Sequence, residues 1–304
     1  MHSKTVTADR FWHDFSIKTH GVRWALIVTP GGESRWQSLV AGRASVSPSQ
    51  VIIVDSPAWS AADAPLPDVE LVVAFGGGFV IDAAKQITSR LLAANLRSSQ
   101  SGPQIVAIPT ISGSGSEVTP FATTWVAGRK SSIEDPRLCP TVLFLVPEFA
   151  IGAPTDKALA AALDALSHAL EAVWNVRATP ASDENAAAAI ATLVPLLSSL
   201  SRRHLQVGEQ ARLMMASAQA GQAIAQTRTA LAHSISYPVT GELGLPHGIA
   251  SSFALRSILA AAARRLCALF GVGGGGGEKR PVPGLAFGDY ELHVIKTAHL
   301  GLCR

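Results

Sequence analysis

Four residues in the second half of the chain have the side chains and the spacing of a metal site. Asp164 and His168 lie four residues apart in a segment of helical periodicity, so their side chains share one face. His233 and His247 follow further along the chain. One carboxylate and three imidazoles suit a divalent cation, Fe²⁺ or Zn²⁺, and ligand type does not decide between the two. A single histidine is better interpreted as structural, but the four residues together predict one metal site.

Two glycine-rich segments in the first half are candidates for binding a phosphorylated cofactor. Gly76, Gly77 and Gly78 follow an apolar run and open a helix that carries Asp82. Residues 109–119 alternate hydroxyl and glycine residues after another apolar run. Glycines permit close backbone approach, and a helix N-terminus attracts phosphate. The first segment lacks the G-x-G-x-x-G fingerprint, and an ordinary turn explains it equally well. For the second, cofactor binding is favoured over a flexible linker.

These candidates require an α/β first half and a helical second half. Short apolar, β-branched runs are typical of strands covered on both faces in a parallel sheet. The runs are Trp24–Thr29, Val51–Asp55, Leu71–Phe75 and Ile105–Ile108. Helical periodicity replaces them from about Pro154, over Ala158–Val176, Asp183–Leu200 and Glu209–Thr227. The sequence therefore predicts an α/β domain over residues 1–150 and an all-α domain from residue 151.

Composition places the chain among globular proteins. Its 304 residues are 48% hydrophobic and 15% charged, which excludes a disordered chain. The formal charge of +3 is dispersed, so neither nucleic acid nor a membrane surface is expected as a partner. The first 14 residues lack the apolar core of a signal peptide, and three distant cysteines form no disulfide framework. We expect a soluble cytoplasmic protein, and a homo-oligomer is compatible with these observations.

In combination, four motifs resemble those of the iron-containing (group III) alcohol dehydrogenase family. They are Gly-Gly-Gly-x-x-x-Asp-x-Ala-Lys at Gly76–Lys85, Pro-Thr-x-x-Gly-x-Gly-Ser-Glu-Val-Thr at Pro109–Thr119, Asp-Ala-Leu-x-His-Ala-x-Glu at Asp164–Glu171 and Pro-His-Gly at Pro246–Gly248. The motifs occur in the family's order. The resemblance implies a dinucleotide-binding α/β domain and a helical metal-binding domain, an architecture shared with dehydroquinate synthase, with the active site in the cleft between them.

The resemblance also implies an activity and individual roles. The activity is metal-dependent, NADH- or NADPH-linked interconversion of a small aldehyde and its alcohol. The implied metal ligands are Asp164, His168, His233 and His247. The implied cofactor contacts are Gly76, Gly77, Gly78, Asp82, Thr110, Ser114 and Ser116. Within the family, residues 231–238 and 174–176 are most similar to reductases of phosphonoacetaldehyde, which form 2-hydroxyethylphosphonate in phosphonate biosynthesis.

Some positions depart from the family or bear on the substrate. Tyr237 stands where many members have a second histidine, and its hydroxyl is a candidate proton relay. Arg228 is a candidate for pairing with a phosphonate, against the alternative of a helix-surface arginine. Pro30 replaces an aspartate of many NAD-preferring relatives, which leaves room for NADPH, and Arg35 is the nearest basic residue. The other basic candidates are interpreted as solvated: Lys130, Arg202 and Arg203.

Two alternatives stay open. One is a lyase of the dehydroquinate-synthase type, although the motif at residues 109–119 favours the alcohol dehydrogenases. The other is a relative that binds nucleotide or metal without turnover, because the resemblance ends near Gly271. The five glycines of Gly273–Gly277 are typical of a flexible break. We therefore expect an incomplete helical domain over residues 151–270 and a divergent tail over residues 271–304.

Overall fold

The structure is a computed structural model that describes residues 3–41, 43, 47–94, 102–126 and 129–261. The predicted tail over residues 271–304 lies outside the described residues, as does the end of the predicted helical domain. The last strand ends at Leu145, and each described element after it is helical. The division into two domains near residue 150 stays a prediction.

The described residues contain eight strands. In chain order they are β1 (Ser3–Thr5), β2 (Trp24–Val28), β3 (Gln50–Ile53), β4 (Leu71–Gly76), β5 (Gln104–Pro109), β6 (Phe121–Val126), β7 (Arg129–Glu134) and β8 (Val142–Leu145). Six of them form one parallel sheet in the order β1-β8-β5-β4-β2-β3. The other two, β6 and β7, pair antiparallel as a separate hairpin.

The four predicted strands are confirmed as β2, β3, β4 and β5, but β3 is less buried than predicted. All residues of β2 and β4 are buried, as a covered parallel strand requires. β3 lies at the edge of the sheet and pairs with β2 alone, so its side chains are only partly covered. The prediction that it is buried on both faces was therefore wrong.

The described residues also form nine α-helices. They are α1 (Ala8–Thr19), α2 (Pro30–Val40), α3 (Gly78–Ala93), α4 (Pro147–Ala150), α5 (Thr155–Val173), α6 (Pro180–Leu200), α7 (Val207–Thr227), α8 (Leu231–Leu243) and α9 (His247–Ser252). The three predicted helices are confirmed as α5, α6 and α7. Two features fix the start of α6: a capping box between Thr179 and Ser182, and Pro180 at the first helical position. Within the described part of the chain, none of these helices has both the length and the hydropathy to cross a membrane.

The strand order contains a topological switch point. From β2 the chain proceeds outward to β3, whereas β4 pairs on the other side of β2. Parallel α/β sheets bind ligands at the carboxyl ends of the strands where the order reverses. The carboxyl end of β4 is Gly76, which leads through Gly77 into α3. The predicted glycine-rich turn therefore lies where this fold class places a cofactor.

Helix α7 packs against both halves of the protein. Its residues Met214 and Ala218 belong to the apolar cluster on one face of the sheet. Its residues Leu213, Ala216 and Ala220 belong to the core shared with α5 and α6. The opposite face of the sheet is covered by a separate, largely aromatic cluster. Because one rigid helix contributes to two cores, α7 fixes the helical half relative to the sheet.

The loop after β5 contacts α7 through two glycines. Gly115 has a φ of +67°, and a Cβ built on it would lie 2.6 Å from Cα of Gly221. A Cβ on Gly221 would lie 2.7 Å from Cα of Gly115 and 2.6 Å from the side chain of Val118. No side chain fits between the two backbones. This contact holds the hydroxyl- and glycine-rich loop directly against the helical half.

We predict that Gly221→Ala destabilises the protein by about 1–3 kcal/mol, because the added methyl group overpacks a backbone contact. Gly208→Ala in the first turn of the same helix is the matched control, since a Cβ there has no neighbour within 4 Å. The control substitution leaves the free energy of unfolding unchanged or raises it by up to about 1 kcal/mol. Urea denaturation measures both. Equal stability of the two variants would contradict the proposed close contact.

Candidate active site

The four predicted metal ligands come together from three helices. Asp164 and His168 lie on α5, and both side chains are almost fully buried. His233 lies in the first turn of α8 and is also buried. His247 is the first residue of α9 and is about one-third exposed. Two of the four candidate ligands therefore come from one face of α5, and the other two come from the first turns of α8 and α9.

The distances suit a shared cation. Asp164 Oδ1 lies 3.8 Å from Nε2 of His168, 3.3 Å from Nε2 of His233 and 3.7 Å from Nε2 of His247. Ligands bound at roughly 2.0–2.2 Å from one ion lie no more than about 4.4 Å apart. The three distances from Asp164 all lie below this limit, and the ligand atoms of Asp164, His233 and His247 lie within a slightly larger distance, 4.8 Å, of one another. His168 joins them through Asp164 and through its ring, which stacks on His233 at 4.6 Å between centroids.

Glu171 fixes the orientation of His233. Its carboxylate is fully buried and lies 2.6 Å from Nδ1 of His233. The same carboxylate accepts hydrogen bonds from the backbone N–H groups of Ala230 at 2.9 Å and Ala232 at 2.5 Å. With its proton on Nδ1, His233 directs the lone pair of Nε2 toward Asp164. A carboxylate behind a histidine is the usual support of a metal ligand.

Two of the other three candidate ligands, Asp164 and His247, have polar side chains within hydrogen-bonding distance, whereas Nδ1 of His168 is buried without a partner. Ser251 on α9 donates its hydroxyl to Asp164 Oδ1 at 3.1 Å. The Ser236 hydroxyl lies 3.5 Å from Nδ1 of His247. Helix α9 approaches α5 closely because residue 248 is glycine: a Cβ there would overlap the carbonyl oxygen of Ala160. The Pro-His-Gly motif therefore supplies both a ligand and the space that its position requires.

The electrostatics of the cluster favour a positive charge. Burial alone raises the pKa of the Asp164 carboxyl, but the three histidines outweigh it and hold that pKa below its ordinary value. Burial lowers the pKa of His233, and the Asp164 and Glu171 carboxylates reverse this effect and raise it to about 9. For His168, burial prevails over the attraction of Asp164 and lowers the pKa to about 4. Asp164 is therefore held as a carboxylate, which suits a cation beside it.

The unsatisfied atoms of the cluster fit a metal ion. Nε2 of His233 is buried and makes no hydrogen bond, although it lies 3.3 Å from a carboxylate oxygen. A buried nitrogen beside a carboxylate oxygen suits a shared positive charge, either a proton on Nε2 or a metal ion bound by both atoms. One carboxylate and three imidazoles are ligands that Fe²⁺ and Zn²⁺ both accept. The residues present therefore fit a divalent metal.

The N-terminus of α3 is suited to a phosphate group. This 16-residue helix begins at Gly78, has no side-chain cap and has no acidic residue in its first turn. Uncapped amides and the helix dipole attract an anion. The side chain of Ser114 lies against Gly78 so closely that a Cβ on Gly78 would overlap it. The two predicted cofactor segments thus meet at one helix end.

Asp82 and Ser116 are used mainly to hold the loop in place. The Asp82 carboxylate accepts hydrogen bonds from the Ser116 hydroxyl and from the backbone N–H of Thr123. Lys85 is fully buried and donates to the Ser116 hydroxyl at 3.2 Å and to the carbonyl of Thr119 at 2.8 Å. Burial lowers the pKa of Lys85 and raises that of Asp82. The Asp-x-Ala-Lys half of the first motif therefore anchors the second motif.

One cavity of about 920 Å³ joins the two sets of residues. From the predicted cofactor set, its lining includes Gly78, Asp82, Ser114 and Ser116. From the predicted metal set, it includes Asp164, His168, His233 and His247. The lining of the cavity does not include the other predicted cofactor residues, Gly76, Gly77 and Thr110. The backbone N–H of Thr110 donates a hydrogen bond to the carbonyl of Gly76 at 3.0 Å. Residues from both predicted sets therefore line one cavity, and their roles stay predictions.

Tyr237 lies in this cavity beside a lysine. Lys130 on β7 donates from Nζ to the Tyr237 hydroxyl at 3.1 Å, so the prediction that Lys130 is merely solvated was wrong. The Tyr237 ring is nearly parallel to that of His247, with centroids 6.4 Å apart. Burial raises the pKa of Tyr237, but Lys130 outweighs burial and the net pKa is lowered. No strand was predicted at β7, because its residues are mostly polar.

Arg228 also lines the cavity, where it forms an ion pair with Glu134 of β7. Its guanidinium lies 5.4 Å from the ring centroid of Phe121 on β6. The structure therefore places Arg228 on the cavity wall, whereas Arg202 and Arg203 are exposed, as predicted. Arg35 donates to the carbonyl oxygens of Glu148 and Ile151 at the end of α4. Its guanidinium is thus already engaged by protein groups.

Two family models match the chain. The model described as "Iron-containing alcohol dehydrogenase" matches residues 60–147. The model described as "Fe-containing alcohol dehydrogenase family, C-terminal" matches residues 158–269. Together the two matches include both glycine-rich segments and all four candidate metal ligands.

Individual relatives agree with these matches. The chain is 31% identical over 261 residues to phosphonoacetaldehyde reductase from Streptomyces viridochromogenes, which covers 78% of this chain and 66% of that protein. It is 32% identical over 198 residues to the probable alcohol dehydrogenase EutG from Escherichia coli. That match covers 62% of this chain and 50% of EutG. The chain therefore spans between one half and two thirds of the length of these relatives.

A solved structure confirms the predicted architecture. Sulfoacetaldehyde reductase from Bifidobacterium kashiwanohense, in complex with NAD+, aligns with a TM-score of 0.77 and 24% identity. The alignment covers 99% of this chain and 83% of that one. This likeness establishes the fold, an α/β half followed by a helical half.

We predict that Glu171→Gln weakens metal binding about 10- to 100-fold, the usual effect of removing the carboxylate behind a ligating histidine. The new side-chain amide would also place its NH₂ group against a backbone N–H that now donates a hydrogen bond to the Glu171 carboxylate. Competition between the protein and a chelator for Co²⁺ or Fe²⁺ measures the affinity.

Glu209→Gln is a matched control, since Glu209 pairs with Arg203 on the exposed surface. This control keeps the metal affinity of the unsubstituted protein. Unchanged affinity in Glu171→Gln, with an unchanged thermal melt, would contradict the assigned role of Glu171.

Proposed function

The chain belongs to the iron-containing alcohol dehydrogenase family, and we propose that it interconverts a small aldehyde and its alcohol with a divalent metal, Fe²⁺ first, and a nicotinamide cofactor. The observation that carries this proposal is the single cavity lined by both the α3 N-terminus and the cluster of Asp164, His168, His233 and His247. A phosphate site and a metal site in one cavity match the needs of a metal-assisted hydride transfer.

The bound groups would supply the chemistry that side chains lack. A metal held by Asp164, His168, His233 and His247 supplies Lewis acidity to the carbonyl oxygen, and the nicotinamide supplies the hydride. Glu171 keeps His233 in the orientation that leaves Nε2 free for the metal. The amides at the α3 N-terminus hold the cofactor phosphates, with Gly78 giving them close access. NADH and NADPH both remain candidates, because Arg35 already binds backbone carbonyls.

Tyr237 is the proposed proton donor of the reduction. Lys130 donates a hydrogen bond to the Tyr237 oxygen, so the phenolic proton is free to point elsewhere in the cavity. Transfer of one hydride to the carbonyl carbon and one proton to its oxygen converts the aldehyde to the alcohol. The positive charge of Lys130 stabilises the phenolate that remains, which solvent then reprotonates.

Phosphonoacetaldehyde is the proposed substrate. The Streptomyces relative supports it by identity over most of this chain, and the solved relative acts on the similarly sized and charged sulfoacetaldehyde. Within this chain, the cationic side chains of Arg228 and Lys130 line the same cavity as the metal cluster. Guanidinium groups pair favourably with phosphonate oxygens. Reduction of this aldehyde gives 2-hydroxyethylphosphonate.

We predict that the purified, Fe²⁺-loaded chain consumes NADH or NADPH when phosphonoacetaldehyde is added. His233→Ala loses stoichiometric metal binding and this activity together, because a ligand of the shared ion is removed. Metal analysis and absorbance at the nicotinamide band measure the two effects. Ser234→Ala, at the exposed neighbour, serves as the control and keeps both. Metal binding without consumption of reduced cofactor would favour the alternative of a relative without turnover.

We predict that Tyr237→Phe lowers kcat about 100-fold and leaves KM little changed, since the proton donor acts in the reaction step. Phenylalanine keeps the ring beside His247 and removes only the hydroxyl that Lys130 contacts. Steady-state kinetics with the aldehyde, and metal content as a check on the site, test this. A kcat within about threefold of the unsubstituted protein would show that the proton comes from another group.

A further inference from the structure

Arg228 has a backbone conformation that suits glycine. Its φ of 65° is the only positive value of a non-glycine residue in the described part of the chain. With ψ at 175°, it lies in a region that is populated almost entirely by glycine. The Arg228 carbonyl accepts hydrogen bonds from Asn175 Nδ2 and Thr227 Oγ1, and its N–H donates to Ile224. The surrounding structure imposes this conformation, which glycine would adopt with less strain. The presence of an arginine here therefore has to be explained by its side chain.

The side chain forms an ion pair across the mouth of the cavity. Its partner, Glu134, lies at the end of β7, whereas Arg228 lies between α7 and α8. Lys130 and Ser132 precede Glu134 at alternate positions of the same strand, and all three line the cavity. The pair therefore links the hairpin wall to the wall that carries His233.

This ion pair is easily opened. The side chains of Arg228 and Glu134 are 50% and 41% exposed. Exposed pairs of this kind contribute little net free energy, because water solvates each partner when they separate. Arg228 contacts Glu134 through one nitrogen and one carboxylate oxygen, whereas a phosphonate or sulfonate offers its guanidinium two or more oxygens for pairing. Such an anion can replace the carboxylate, while Glu134 turns into solvent.

We propose that Glu134 is a stand-in for the anionic group of the substrate. Its carboxylate occupies Arg228 in the free protein, the substrate's phosphonate or sulfonate displaces it, and Glu134 thereby sets how strongly the cavity prefers anionic over neutral aldehydes. Once displaced, Glu134 leaves Arg228 and Lys130 on the wall to face the anion. This inference rests on the proposed function for its substrate class, but binding of an anion can be measured without turnover.

Methylphosphonate is the probe for binding, measured by isothermal titration calorimetry on the full chain. Glu134→Gln removes the competing charge, so we expect methylphosphonate to bind about 2- to 5-fold more tightly, the value of an exposed ion pair. Arg228→Gly loses measurable binding, while its thermal melt is not lowered, because glycine suits the backbone at this position. Equal binding in Glu134→Gln and the unsubstituted chain, or retained binding in Arg228→Gly, overturns the inference.

Kinetics separate this inference from the proposed function. In Glu134→Gln, KM for phosphonoacetaldehyde falls by a similar factor with kcat unchanged, and the preference for it over propionaldehyde rises. Glu33→Gln in the first turn of α2, outside the cavity, is the matched charge control and changes neither value. If neither phosphonoacetaldehyde nor propionaldehyde is turned over, the proposed function is refuted. The binding of methylphosphonate then tests the role of Glu134 by itself. Turnover with an unchanged preference would refute the role of Glu134 alone.

Discussion

The structure depends on a contact between backbones that only glycines allow. The loop after β5 lies directly against α7 at Gly115 and Gly221, and directly against α5 at Gly113, where a Cβ would overlap the carbonyl oxygen of Ala161. Asp164 follows Ala161 by three residues on α5. The loop therefore fixes the distance from the α3 N-terminus to the metal cluster, and any side chain at these glycines would separate the cofactor end of the cavity from the metal end.

The buried charges of the cluster depend in turn on this packing. Asp164 and Glu171 are carboxylates in an apolar helical core, where an unpaired charge is very unfavourable. Glu171 is compensated within the protein by two backbone N–H groups and His233. Asp164 is compensated by one serine hydroxyl and by histidines whose ring nitrogens surround it. A bound metal ion would add to this compensation, and folding of the helical half would then be thermodynamically linked to metal binding.

The sequence predicts those parts of the structure that repeat a local pattern. Strands β2, β4 and β5 are continuous apolar runs, α5 to α7 have helical periodicity, and the four ligands carry distinctive side chains. The β6–β7 hairpin was not predicted, because β7 is mostly polar and β6 mixes apolar residues with threonines, so neither strand is a continuous apolar run. Lys130 was considered as a candidate but interpreted as solvated, and Glu134 was not identified from the sequence. The signal for Glu171 was available, since it lies seven residues after Asp164 on the same face of α5.

Arg228 shows why residue preferences for backbone conformation fail at a residue that lines the candidate active site. A residue in a glycine-only region costs on the order of 1–3 kcal/mol, a large fraction of the stability of a typical domain. Neither the ion pair with Glu134 nor the contact with Phe121 offsets that cost, because both are largely exposed. Stability alone would therefore favour glycine at this position. The arginine is better explained by what the cavity binds than by what the fold requires, since the hydrogen bonds from Asn175 and Thr227 hold its backbone carbonyl while its side chain lines the cavity.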